Sequence, residues 1–64
     1  MKVYNRFADA VEFEIVQPLG EYVGDFDVDA IADEVIARDF SGAEPAFWSR
    51  EDVDFWEVVQ RHER

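Results

Sequence analysis

Twelve of the sixteen acidic residues lie between Glu21 and Glu57, where only two bases, Arg38 and Arg50, oppose them. Unpaired carboxylates do not enter a protein interior, so any fold of this chain must hold this block at its surface while drawing in the apolar residues threaded through it. The segments outside the block carry four acids and four bases and sum to zero, which places the whole net charge of −10 inside these 37 residues. A field of that sign on a small body attracts basic surfaces and repels nucleic acid and anionic membrane.

Sixty-four residues make one domain, 1–64, with no room for a second. A chain this short buries only about 60% of the surface its unfolded form exposes. Ten aromatic residues partly compensate, because each buries roughly 150–250 Å². A hydrophobic content of 48% argues against disorder despite the charge. Cysteine is absent, which excludes a disulfide framework and thiol chemistry and fits a reducing compartment. No stretch is long and apolar enough to cross a bilayer, and Met1-Lys2-Val3-Tyr4-Asn5-Arg6 lacks the apolar run of a signal peptide. These features predict a cytoplasmic protein that does not engage membrane.

The expected fold class is α+β: a small antiparallel β-hairpin or three-stranded meander followed by two α-helices. Residues 2–7 and 11–16 read as strands, since Val11, Phe13 and Ile15 alternate with Glu12 and Glu14. A turn at Ala8-Asp9-Ala10 sets Arg6 opposite Glu12 and Tyr4 opposite Glu14. The competing reading is a helix, because Val3, Phe7, Val11 and Ile15 are also spaced by four. After the turn Gln17-Pro18-Leu19-Gly20, the segment Glu21-Tyr22-Val23 offers a short third strand. Asp27 predicts a helix N-cap, with Phe26 and Ile31 as its hydrophobic staple. Val28, Ile31, Ala32, Val35 and Ile36 share one face of that helix, Phe40 closes the apolar set, and Gly42 suits its end. Glu34 is spaced to pair with Arg38. A second helix is predicted from about Arg50 to His62, capped by Ser49, with Trp48 stapled to Val53 and Glu57 spaced to pair with Arg61.

Chemistry-bearing patterns are few. Asp25-x-Asp27-x-Asp29 opens like a calcium loop, but the sixth and twelfth positions are Ala30 and Ile36 where such a loop needs Gly and Glu. Glu12 and Glu14 share one exposed strand face, so nothing separates their pKa values as acid–base catalysis requires. His62, the only histidine, has no metal ligands spaced with it and no nucleophile to serve. No glycine-rich phosphate loop is present. Direct nucleic-acid binding is excluded on charge, and no catalytic residue, cofactor or metal is predicted.

Two features remain. The cluster Phe47-Trp48 with Phe55-Trp56 reads chiefly as core, and Trp48, in the predicted interhelix loop, is the candidate for an exposed interface anchor. The acidic block reads either as solubility or as an imitation of DNA phosphates. Asp29 and Asp33, four apart on a helix, are separated by a rise of ~6 Å, a scale compatible with phosphate spacing.

A tiny, cysteine-free, highly acidic chain without a catalytic constellation resembles the DNA-mimic inhibitors made by phages and mobile elements, among them several anti-CRISPR and anti-restriction proteins. The resemblance spans the whole chain and rests on size and charge. The stretches from Phe26 to Val35 and from Asp54 to His62 are also similar to small proteins of actinobacteria and their phages. What the first resemblance implies is a non-enzymatic inhibitor in the host cytosol, a monomer or small homo-oligomer. Its partner would be a basic nucleic-acid-handling protein such as a CRISPR effector or restriction enzyme. The residues expected to meet that partner are Glu21, Asp25, Asp29, Asp33, Glu34, Glu44, Glu51, Asp54, Glu57 and Trp48. The alternative is an acidic accessory module, antitoxin-like or dimerising through an exposed aromatic patch.

Overall fold

A computed structural model describes residues 2–64 and shows an α+β protein of three helical segments and one two-stranded antiparallel sheet. The first helical run, α1 (residues 7–19), has α-helical ends at Phe7–Val11 and Gln17–Leu19 around a π-helical middle at Glu12–Val16. A series of 3₁₀ turns, Gly20–Asp25, leads to α2 (Val28–Val35), which passes directly into β1 (Ile36–Asp39). Strand β2 (Ala46–Ser49) returns beside β1, and α3 (Phe55–Arg61) follows it.

The expected hairpin over residues 2–16 is therefore corrected: residues 7–16 are helical, and among the described residues there is no three-stranded meander. Two periodicities competed in that segment. The spacing by four of Phe7, Val11 and Ile15 prevailed over the alternation of Val11, Phe13 and Ile15, helped by two alanines, the best helix formers. Ala10 is fully buried, and Phe13 is left 44% exposed. The π-helical middle matters for packing. In a regular α-helix Ala10 would share its face with residues 14 and 17. The wider turn adds one residue, so Ile15 and Leu19 join Ala10 in the core. It also precedes Pro18, whose ring needs room near the carbonyl four residues back. Gly20, with φ of 59°, closes the run in a conformation that side chains resist. Of the first expected strand only Tyr4 is paired. Its N–H donates to the Phe47 carbonyl and its carbonyl accepts from the Phe47 N–H, both at 2.8 Å.

The start of α2 agrees with expectation: the Asp27 carboxylate accepts from the Ala30 N–H at 3.2 Å, and Ile31, Ala32 and Val35 face inward. The end does not. The helix stops at Val35, and residues predicted to extend it to Phe40 form β1, with Ala37 opposite Trp48 and Arg38 opposite Phe47. The β-branched pair Val35-Ile36 suits a pleated surface as well as a helix, and pairing with β2 decides between them. Glu21-Tyr22-Val23 lies in 3₁₀ turns and forms no third strand. The last helix begins five residues later than predicted. Its cap is Asp54, which accepts from the Glu57 N–H at 3.3 Å, while Ser49 ends β2.

Ile15, Ile31, Val35, Val58 and Val59 are the largest fully buried side chains, and each contributes about 1.5–3 kcal/mol by leaving water. Tyr4, Leu19, Ile36 and Phe47 complete the core around them. No charged side chain is buried among the described residues. The C-terminal residues are fastened alongside the entry to α2: Asp27 N–H donates to the His62 carbonyl at 2.9 Å and Arg64 N–H to the Asp25 carbonyl at 2.7 Å.

Candidate protein-binding surfaces

The structure distributes the expected contact residues over six parts of the fold. Glu21 and Asp25 stand on the 3₁₀ turns, Asp29 and Asp33 on the solvent side of α2, and Glu44 in the loop between the strands. Glu51 and Asp54 lie between β2 and α3, and Glu57 is in the first turn of α3. All of these are exposed. First-turn acids such as Asp29 and Glu57 also complement the positive end of the helix dipole.

Ion pairs engage few of the acids. Asp33 meets Arg38 at 3.7 Å. Arg50 grips Asp52 with two parallel bonds, Nε to Oδ1 at 3.0 Å and a terminal nitrogen to Oδ2 at 2.7 Å. Arg50 also donates to the Glu34 carbonyl at 3.3 Å, so one guanidinium joins the β2–α3 loop to the last turn of α2. The bonds between Arg50 and Asp52 hold the Asp52 carboxyl below its usual range and raise the pKa of the guanidinium. In the strand loop, Asp39 accepts from both the hydroxyl and the N–H of Ser41, which lowers its pKa.

Glu34 stands apart from the other predicted contact residues. It is half-buried and bonded to His62 through one carboxylate oxygen and to Arg61 at 3.2 Å through the other. The bond from His62 is the main reason its pKa is lowered, with Arg61 assisting and burial opposing. The predicted pairs Glu34–Arg38 and Glu57–Arg61 are thus replaced: Arg38 sits on a strand beside Asp33, and Arg61 crosses from α3 to α2. A histidine–carboxylate pair is able to move protons, but here it fastens α3 to α2. Tyr4 does meet Glu14, at 3.4 Å, although the contact runs from a bridge residue to a helix rather than across a hairpin. Burial, then Glu14, pushes the Tyr4 phenol up. Among the described residues no three side chains converge as metal ligands.

The aromatic residues also depart from the sequence reading. Trp48 is half-buried on β2, opposite Ala37, instead of exposed in a loop. The open tryptophan is Trp56, 56% exposed, with its ring edge-on to Phe55 at 4.9 Å. Trp56 flanks an apolar groove of about 270 Å³. Pro18 and Leu19 from the end of α1 form one wall, Tyr22 and Phe26 the second, and Trp56 and Val59 the third. Gln60 and Glu63 supply its polar edge. The signal for this groove lay in the helical spacing of α3. Phe55, Val58, Val59 and His62 form one stripe, whereas Trp56 falls beside it, in line with Gln60 and Glu63.

No family model matches the chain, and neither the curated proteins nor the solved structures give a match. No helix is long and apolar enough to cross a membrane among the described residues.

Proposed function

We propose that this protein is a non-enzymatic inhibitor that occupies the basic nucleic-acid-binding surface of a DNA-handling protein, a CRISPR effector or a restriction enzyme, by presenting carboxylates where that surface expects phosphates. The observation that supports it is the surplus of unneutralised acid at the surface. Only Asp33, Glu34 and Asp52 take part in ion pairs among the described residues, while Asp29, Glu44, Glu51 and Glu57 face solvent. Asp29 and Glu57 stand in the first turns of capped helices, so their backbone is already ordered when they meet a rigid basic groove. The molecule measures 37 × 21 × 18 Å, and its long axis compares with one turn of B-DNA, ~34–36 Å.

The test is inhibition of target-duplex binding by purified effectors and restriction enzymes. The triple variant Asp29→Asn, Glu51→Gln, Glu57→Gln removes three carboxylates that carry no ion pair among the described residues. It is expected to inhibit at least about tenfold less well while keeping its circular dichroism spectrum. Equal potency of variant and wild type would refute mimicry.

A further inference from the structure

We propose that the groove between the end of α1 and α3 is a docking site for a basic amphipathic segment of a partner protein, one that inserts a bulky aliphatic or aromatic side chain between Tyr22 and Trp56. The inference goes beyond mimicry and stands or falls without it. Two observations converge on it. First, Tyr22 and Trp56 are 61% and 56% exposed in a groove whose lining also includes Leu19, Phe26 and Val59, in a domain short of material for its own core. Large rigid aromatics flanking a pocket are the usual anchors of protein interfaces. Second, each aromatic wall has an exposed acid beside it in sequence: Glu21 next to Tyr22, Asp25 next to Phe26 and Glu57 next to Trp56. Glu63 stands in the groove itself.

Size and charge select the occupant. A volume of about 270 Å³ falls below the roughly 300–1,000 Å³ of pockets that enclose small-molecule ligands, but it suits one or two side chains. A second copy of this chain would bring another net charge of −10 against a body that already carries −10. A helix with leucine or tryptophan on one face and lysine or arginine on its flanks satisfies both the apolar lining and the negative charge of the protein around it.

The probe is a labelled amphipathic peptide built only of leucine and lysine at helical spacing, with a control in which glutamine replaces every leucine. Binding is followed by fluorescence anisotropy and by the Trp56 indole N–H resonance. The leucine peptide is expected to bind and shift that resonance. Trp56→Ala and, separately, Tyr22→Ala are expected to weaken binding by at least about tenfold with the fold intact, since both side chains are largely outside the core. The glutamine control is expected to leave the Trp56 resonance in place. Equal binding of the two peptides would reduce the interaction to charge and overturn the proposal, as would wild-type affinity in both aromatic variants. A Trp56 resonance that moves on dilution, with a dimer in sedimentation, would assign the groove to a second copy instead.

Discussion

Removing the Asp54 carboxylate tests where the last helix begins. Asp54 accepts from the Glu57 N–H at 3.3 Å and its backbone is extended at the cap position, whereas Ser49 lies five residues earlier within β2. Loss of an N-cap side chain costs ~0.5–2 kcal/mol. The bond is long and the site exposed, so the lower half of that range, about 0.5–1 kcal/mol, applies to Asp54→Ala. For a domain of this size each kcal/mol moves the melting temperature by about 4–8 °C, giving an expected fall of ~2–8 °C. Removing a negative charge also relieves self-repulsion, which would mask part of the loss. Asp54→Asn separates the two effects, because asparagine caps as well as aspartate but carries no charge. Thermal unfolding followed by far-ultraviolet circular dichroism should therefore rank Asp54→Ala below both Asp54→Asn and Ser49→Ala. If Ser49→Ala proved the most damaging of the three, α3 would begin at Arg50 and this account of the fold would be wrong.

Other perturbations probe other links. Ile31→Ala empties a fully buried site and should cost about 2–5 kcal/mol, a large share of the ~3–10 kcal/mol available to a domain of this length, read as a lowered denaturant midpoint. Gly20→Ala meets no neighbouring atom, so its expected loss of ~1–3 kcal/mol comes from the backbone alone, whose φ of 59° and ψ of −132° side chains resist, and an unchanged melting temperature would argue against that backbone. Because Glu34 has a lowered pKa in the fold, its contribution is present above its ordinary value of 4.5 and disappears as pH falls through the lower folded value. Glu34→Gln should thus destabilise the protein near neutral pH and flatten the acid limb of its stability–pH curve.

How much of this was legible can be traced residue by residue. Asp27 announced α2 because a cap is a local device, formed by residues three apart. The same logic failed for Ser49, which is an acceptable cap with an aromatic before it, because pairing of Ala46–Ser49 with β1 claimed that residue first. The end of α2 was hidden for a related reason: Ile36 continues the helical stripe, and only a partner strand remote in sequence makes it a strand residue. Over residues 7–19 the sequence held both periodicities, and the π-helical turn that reconciles Ala10 with Ile15 has no simple spacing of its own. Among the expected contact residues, exposure of the acids followed from their chemistry. The diversion of Glu34 into an interhelical bond did not, since Arg61 and His62 lie far along the chain. Trp48 and Trp56 exchanged roles because the first joined a sheet and the second fell beside the buried stripe of α3.

The most direct test of the acidic-mimic proposal is the dissociation constant for an inhibited DNA-handling enzyme, measured across a sodium chloride series with and without its duplex target. If unpaired carboxylates such as Asp29, Glu44 and Glu57 carry the contact, affinity falls steadily as salt rises and the duplex displaces the protein competitively. Affinity indifferent to salt, or a stable complex holding enzyme, duplex and protein together, would contradict it.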